Sequence, residues 1–509
     1  MLHHKQFIFV FLFTCLGFSA CKQQSDTTIH TCKAKAPEEG SMFIFPERII
    51  LENGDLFTAE RGTMYVPLNR SVQNSDVISL DVYRFKASAK ADPDTPPIFY
   101  LHGGPSFAGL EGMLEIPGTF ERNWQFMLDV ADVVVVSQRG IGPSKPTTTV
   151  ERTTPVQSPE LPYDEEKAIR DYQDLLNKER EVWEDLGIDL QGYTIFEAAE
   201  DVNDVRKALG YEKITIWGGS FGSHWGMTLM RMHPEIIERA ILRGMEGVDH
   251  TYDHPGHTWN VYKRLAEEAE QSPELQDYIP EGGLIKAVET IKDRLAAESV
   301  TVEVTDPETN EVQNVLIDAH VIKSLSRGYS GDMAAWPADI ITMYNGDFTK
   351  AAERIFRRYK YSGRNYKTAS YYMLDCGSGI SEWRMKEYEA DPANEVIETA
   401  WGYVNGCPCW GSDNGDDFRE NFETNIPSVI VQGTWDRSTP YENALELAPY
   451  FKDLKFVTLK RGPHGAIRAA LKHSDDFKAA LLKFAGSGDR SDLPDEMELP
   501  ALEWVVPGQ

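Results

Sequence analysis

Basic residues are scarce in this chain of 509 residues. Its 51 Lys and Arg stand against 80 Asp and Glu, a formal net charge of −29. A surface this acidic repels phosphate backbones, which argues against nucleic acid as a partner. Long apolar runs are missing as well. No stretch of 18 or more apolar residues occurs, so the body is not embedded in a bilayer, whose crossing takes roughly 20 helical residues. No internal repeat or low-complexity tract stands out. What remains is ordinary: 41% apolar and 26% charged residues, with 39 Gly and 28 Pro spread along the chain. That balance excludes a fibrous, collagen-like or wholly disordered protein. At roughly 100–200 residues per domain, the length corresponds to two or three domains.

The first residues, Met1-Leu2-His3-His4-Lys5, precede an apolar stretch from Phe7 to Phe18 and then Ser19-Ala20-Cys21. The stretch is too short to span a membrane and suits the apolar region of a signal peptide. Small residues before a cysteine resemble the lipobox of bacterial lipoproteins, with Phe18 where Leu is usual. The sequence thus predicts a signal peptide over 1–20, a lipid on Cys21 and a polar tether over 21–40. The body would then lie outside the cytoplasm of a bacterium, facing the periplasm or the cell surface, and touch a membrane only through that lipid. Export changes the reading of cysteine. Cys32, Cys376, Cys407 and Cys409 remain for an oxidising compartment, enough for two disulfides in three connectivities. Cys407-Pro408-Cys409 lacks the paired spacing and nearby His of a metal site, so a disulfide from Cys376 to one of that pair is expected. Which of the two stays open.

Eight short β-rich runs follow: Gly62–Leu68, Val77–Phe85, Pro97–Leu101, Asp132–Val136, Lys213–Trp217, Arg239–Leu242, Ser428–Gln432 and Lys455–Leu459. The first two alternate apolar and polar residues, as half-exposed antiparallel strands do. Ile98–Leu101, Val133–Val136 and Val429–Val431 are continuously apolar, as parallel strands covered on both faces are. Helical patterns lie between them, the clearest being Thr194–Leu209 closed by Gly210. Alternating strands and helices predict a mostly parallel α/β sheet. The rhythm breaks between the sixth and seventh runs. The interval 245–425 is mostly helical by pattern (Asn260–Ala269, Gly283–Glu298, Met333–Asn345, Thr349–Tyr359, Ala393–Val404), with β-like stretches at Val300–Val304 and Val312–Ile317. It reads as a cap inserted over the carboxyl edge of the sheet, between two core segments, 41–244 and 426–509.

Gly218-Gly219-Ser220-Phe221-Gly222 stands between a strand and a helix, the placement a nucleophile elbow needs. Glycines at 218 and 222 would keep helix and strand from clashing around a strained Ser220. A serine attacks only with a base, a group that orients the base and donors for the oxyanion. Further along the chain, Asp436 follows the seventh strand and His464, in a Gly-Pro-His-Gly loop, follows the eighth. Both loops fall where parallel sheets place their ligands. The oxyanion donors would be the backbone N–H groups of Phe221 and of Gly104, the latter in His102-Gly103-Gly104-Pro105 after the third strand. His102 reads as a structural hydrogen-bonder. A carboxylate for a substrate's terminal amine would be Glu246 first or Asp249 second, just past the sixth strand.

These motifs, with Gln138-Arg139-Gly140-Ile141-Gly142-Pro143-Ser144 and Gly433-x-x-Asp436-x-x-Thr439-Pro440, resemble the proline iminopeptidase and tripeptidyl aminopeptidase family of serine peptidases, within the α/β-hydrolase superfamily. The resemblance covers about residues 60–480; length and the late Cys-rich segment fit the tripeptidyl branch better. It implies an α/β-hydrolase fold, Ser220, Asp436 and His464 as triad, and peptides with free N-termini as substrates. Ser106, Ser137 and Pro463 depart from the residues usual at those places, and none removes a catalytic group. Arg139 reads as a brace for the loop after the fourth strand. No metal or organic cofactor is implied. Two other readings remain: a carboxylesterase or small-amide hydrolase on the same triad, and a ligand-binding lipoprotein without catalysis.

Overall fold

The computed structural model describes residues 37–508 apart from 106–113, 115, 117, 143, 154–155, 326–332 and 362–363. The leader, Cys21, Cys32 and most of the tether thus lie outside the described residues; 37–40 are exposed. In chain order the strands are β1 (Met42–Ile50), β2 (Leu56–Pro67), β3 (Val77–Phe85), β4 (Ile98–Leu101), β5 (Val133–Val136), β6 (Thr149–Thr153), β7 (Ile214–Ser220), β8 (Ile237–Met245), β9 (Val300–Thr305), β10 (Val312–Ile317), β11 (Arg364–Thr368), β12 (Ser428–Gly433), β13 (Leu454–Lys460) and β14 (Glu496–Glu498).

One sheet of ten strands runs β1-β2-β3-β5-β4-β7-β8-β12-β13-β14. The pairs β1–β2, β2–β3 and β3–β5 are antiparallel, and every pairing from β5 to β14 is parallel. The loops that leave β4, β7, β8, β12 and β13 therefore emerge at one edge. The continuous apolar runs have the predicted cause, because alternate side chains of each central strand enter different cores. Phe99, Leu101, Val134 and Val136 face one cluster, with helices Ile195–Ala208 and Phe221–Met232. Ile98, Tyr100, Val133 and Val135 face the other, with helix Asp475–Ser487. A fully buried side chain of this size contributes about 1.5–3 kcal/mol, so neither face of these strands can turn polar cheaply. Helix Ile195–Ala208 starts where the Thr194 hydroxyl accepts from the Glu197 N–H and stops before Gly210, whose φ is +76°.

The eight predicted strands all lie in this sheet, and β1 and β14 add two; outside it, β9 and β10 were expected and β6 and β11 were not. The pattern of β1 was illegible because it lies at the sheet edge with Phe43, Ile44, Phe45 and Ile50 exposed and Pro46 in its middle. β14 has three residues. The predicted helix Ala393–Val404 is broken into a 3₁₀ turn, Pro392–Glu395, and a helix, Trp401–Gly406. Val396, Ile397 and Thr399 between them are β-branched and weak helix formers, and the Thr399 hydroxyl turns to the Asp253 carbonyl.

The 245–425 interval divides in two. Helices Pro255–Gln271, Gly283–Ala297, Trp336–Tyr344 and Thr349–Tyr361, with the β9–β10 hairpin, share a core of their own. Helix Ala369–Ser378 and the Cys407–Cys409 turn instead send Tyr372, Met373, Leu374 and Cys409 into the core of the main sheet. The disulfide joins Cys376 to Cys407, and Cys409 keeps a buried thiol. A second insertion, between β5 and β7, carries helix Glu165–Asp185 and pairs β6 antiparallel to β11.

Candidate active site

Ser220 ends β7 and precedes helix Phe221–Met232 with φ 56° and ψ −135°, a left-handed backbone that strains a residue bearing a Cβ. The flanking glycines are there for the predicted reason. A Cβ on Gly222 would lie 2.0 Å from the Leu101 carbonyl oxygen, and one on Gly218 would lie 2.4 Å from that of Gly222. The helix can therefore cross β4 only without side chains at both places. Gly103 packs on the nucleophile, since a Cβ there would sit 3.1 Å from Ser220 Cβ. Gly104 follows, exposed, with φ 139°. His102 is buried, its Nδ1 2.9 Å from the Gly103 carbonyl oxygen, and Gln138 Nε2 donates to the His102 carbonyl at 3.3 Å. Burial lowers the His102 pKa against the pull of that carbonyl, so it braces the loop as a neutral ring.

Asp436 and His464 meet at the same edge. His464 Nδ1 lies 2.9 and 3.0 Å from the two Asp436 oxygens. Asp436 is buried, and its oxygens also accept from the Ser438 and Thr439 N–H groups and, at 2.8 Å, from the Thr439 hydroxyl. Such a fixed carboxylate holds the proton on Nδ1 and leaves Nε2 to accept. The two loops come together because Gly433 and Gly462 touch: a Cβ on Gly433 would lie 2.1 Å from the Gly462 carbonyl oxygen. Among the described residues no hydrogen bond joins Ser220 to His464; contacts of this kind tighten as a substrate docks. Burial works against the charged imidazole, but the Asp436 charge and hydrogen bond outweigh it and raise the His464 pKa. A base must be neutral to take the serine proton. Turnover is therefore expected to rise with pH through an inflection above ~6.5, the ordinary histidine value. A pH–kcat profile without that acidic limb would detach His464 from the reaction.

Three residues that the sequence reading missed tie these parts together. The Ser223 hydroxyl donates to the Ser220 carbonyl at 2.7 Å and accepts from the Glu246 N–H at 2.9 Å. Gln432, fully buried, accepts from the Met245 N–H and donates to the Thr439 carbonyl, both at 2.8 Å. Gly244, at φ +51°, lies under the acid–base pair; a Cβ there would come within 3.0 Å of the Thr439 hydroxyl and 3.4 Å of His464 Cε1. Its place in Arg243-Gly244-Met245, directly before the candidate acids, was the available signal.

The two candidate acids part company. Both Asp249 oxygens are engaged: they accept from the Ser381 N–H at 2.7 Å, the Ser381 hydroxyl at 2.6 Å and Arg384 Nε at 3.2 Å. Asp249 thus secures the start of helix Glu382–Ala390, which corrects its assignment to a substrate amine. Glu246 lies instead beside other acids. Burial first, then the charges of Asp375 and Asp253, push its pKa well above the usual carboxylate range. Asp375 accepts from the Tyr403 hydroxyl at 2.7 Å, and that oxygen lies 2.8 Å from the Tyr371 hydroxyl. A cluster of this sign attracts a cation. Arg139 is structural as expected: fully buried, it donates through Nε and Nη2 to Asp201 at 2.9 and 2.7 Å and through Nη1 to the Leu68 carbonyl at 2.5 Å.

Residues 96–268 match the family model described as alpha/beta hydrolase fold. Proline iminopeptidase of Neisseria meningitidis serogroup A is 25% identical over 165 residues, 32% of this chain. The chain thus matches only 37% of that relative's length. Tripeptidyl aminopeptidase of Streptomyces lividans is 22% identical over 422 residues, 79% of this chain and 78% of that protein. Among solved structures, a serine hydrolase of Cycloclasticus zankles is similar at 13% identity and a TM-score of 0.35, covering 83% of this chain and 97% of that one. Both peptidase groups that the motifs resemble are therefore among its relatives.

Proposed function

We propose that this chain, an α/β-hydrolase by fold, is a serine peptidase that releases residues or short peptides from free N-termini. The observation that carries the reading is the Asp436–His464 pair, at 2.9 and 3.0 Å, on the same sheet edge as the strained Ser220. Ser220 Oγ bonds to the scissile carbonyl carbon while His464 Nε2 takes its proton. The N–H groups of Phe221 and Gly104 receive the oxyanion, and His464 passes the proton to the departing amine as the peptide bond breaks. Water then opens the acyl-enzyme by the same steps. The relatives' names and the acid cluster at Glu246 support an aminopeptidase.

As the substrate's ammonium docks, its charge favours the Glu246 carboxylate, which then holds it at a fixed reach from Ser220. Glu246→Gln is therefore expected to raise KM for free-amine peptides by about 10–100-fold, the scale of one charge-assisted contact. Hydrolysis of a small neutral ester should barely change. Equal loss on both substrates would make Glu246 structural, and ready cleavage of N-acetylated peptides would favour the esterase-type reading. The proposal includes export and acylation at Cys21, on the residues of the leader. Cys21→Ser should then release the protein from the membrane fraction, and a mature N-terminus found unmodified at another residue would refute it.

A further inference from the structure

A cavity of about 410 Å³ lies between the start of helix Glu165–Asp185 and the inserted segments, and neither Ser220, Asp436, His464 nor Glu246 lines it. Its walls are aromatic: Tyr163, Tyr172, Tyr359 and Trp401. Tyr163 stacks on His320 with centroids 3.7 Å apart, and Tyr172 lies 5.3 Å from Trp401. Two further lining residues, Leu161 and Val156, leave 65% and 40% of their surface in solvent. Apolar side chains thus stand exposed where the cavity meets water, although a folded chain has every reason to cover them.

The charges in the wall have one prevailing sign. Among the described lining residues, Asp171, Asp318 and Glu398 face a single guanidinium, Arg358, and His320 is kept neutral by burial. Even with Lys167 paired to Asp171, carboxylates outnumber cations. Asp318 is fixed in place, its oxygens accepting from the His320 N–H at 3.0 Å and the Tyr163 N–H at 3.4 Å. An anion would be repelled here, and a neutral ligand would gain nothing from the excess of negative charge. Ring faces and carboxylates together favour a cation.

We infer that this cavity binds an organic cation with an apolar body, its charge against the carboxylates and its carbon skeleton against the aromatic walls. The ligand lies behind a functional element. Trp401 and Gly402 line the cavity, and the next residue, Tyr403, holds Asp375 of the acid cluster. Two sources supply this chemistry: a basic side chain further along a bound peptide, or a free amine. The site itself stands without the proposed reaction; only the peptide source rests on it.

Calorimetric titration of the full chain carrying Ser220→Ala tests the inference. The probe is benzyltrimethylammonium, which has no N–H to offer Glu246, and benzyl alcohol is the uncharged control. The cation should bind at least about tenfold more tightly than the alcohol. Tyr359→Ala, at the exposed rim, and Trp401→Ala should each weaken it about tenfold, with Glu246→Gln leaving it unchanged. Equal affinity for the two probes, binding that survives both aromatic changes, or binding lost in Glu246→Gln would overturn the site. Peptide pairs with lysine or norleucine downstream of the cleaved bond separate the sources. A lower KM for lysine that disappears in Trp401→Ala assigns the peptide, whereas equal KM values with the cation still bound assign a free amine. Failure of the proposed function would appear separately, as free-amine peptides left uncleaved by the active enzyme.

Discussion

Ser220→Ala is expected to fold as the parent does and to lose about four to six powers of ten in turnover, because nucleophile, base and orienting acid act as a unit. Stability should hardly move. Alanine carries the same Cβ into the same positive φ, 56°, so the strain of the elbow is neither relieved nor increased. The hydroxyl is also not part of the web around it, since the stitching bonds use the Ser220 carbonyl and the Ser223 side chain. Circular dichroism and the thermal midpoint would establish the fold, and hydrolysis with fluorophosphonate labelling would establish the loss. Near-normal hydrolysis by the folded variant would refute the assignment of the nucleophile.

Gly222→Ala should do the opposite and damage structure first. The added methyl would meet the Leu101 carbonyl oxygen at 2.0 Å and its carbon at 2.7 Å, both backbone atoms of the central strand β4. No rotamer relieves a backbone clash. Helix Phe221–Met232 would have to lift from the sheet, opening a fully buried core around Phe221 and Trp225. A cost of about 3 kcal/mol or more is expected, the scale of severe core disruption, together with loss of activity as Ser220 and the Phe221 N–H shift. Gly226 in the same helix gives the comparison, for a methyl there would meet only side chains, the nearest at 3.2 Å. A parent-like denaturation midpoint for Gly222→Ala would mean that helix and strand approach less closely than the structure has them.

Much of this was legible in the sequence because it was written locally. Val133–Val136 reads as a strand buried on both faces from four residues, and the elbow glycines read as a crossing point from five. Asp436 and His464 could be placed because each follows a parallel strand, and parallel strands share an edge. What escaped was decided across the chain. Gln432 sits in an apolar run and gives no periodic signal, yet its amide joins the ends of two strands. Asp249 lies three residues past Glu246 and was offered for the same task. Nothing nearby in sequence reveals that its partners are Ser381 and Arg384, more than 130 residues on. β1 escaped for another reason: a strand at an edge with both faces partly in water has no alternation to show.

The division of the inserted segment gives the protein two kinds of heritable freedom. Helices between 255 and 361 rest on a core that meets the sheet's loops chiefly through Trp435, so side chains away from that contact, and whatever shape they present to a ligand, can be exchanged without the core of the main sheet having to repack. The stretch that holds Asp375 and Tyr403 has no such liberty. It is rooted in the sheet's own core and sewn to itself at Cys376 and Cys407. Relatives that drift toward new substrates can therefore be expected to rewrite the first stretch freely, while the second stays under the same constraint as the sheet beneath it.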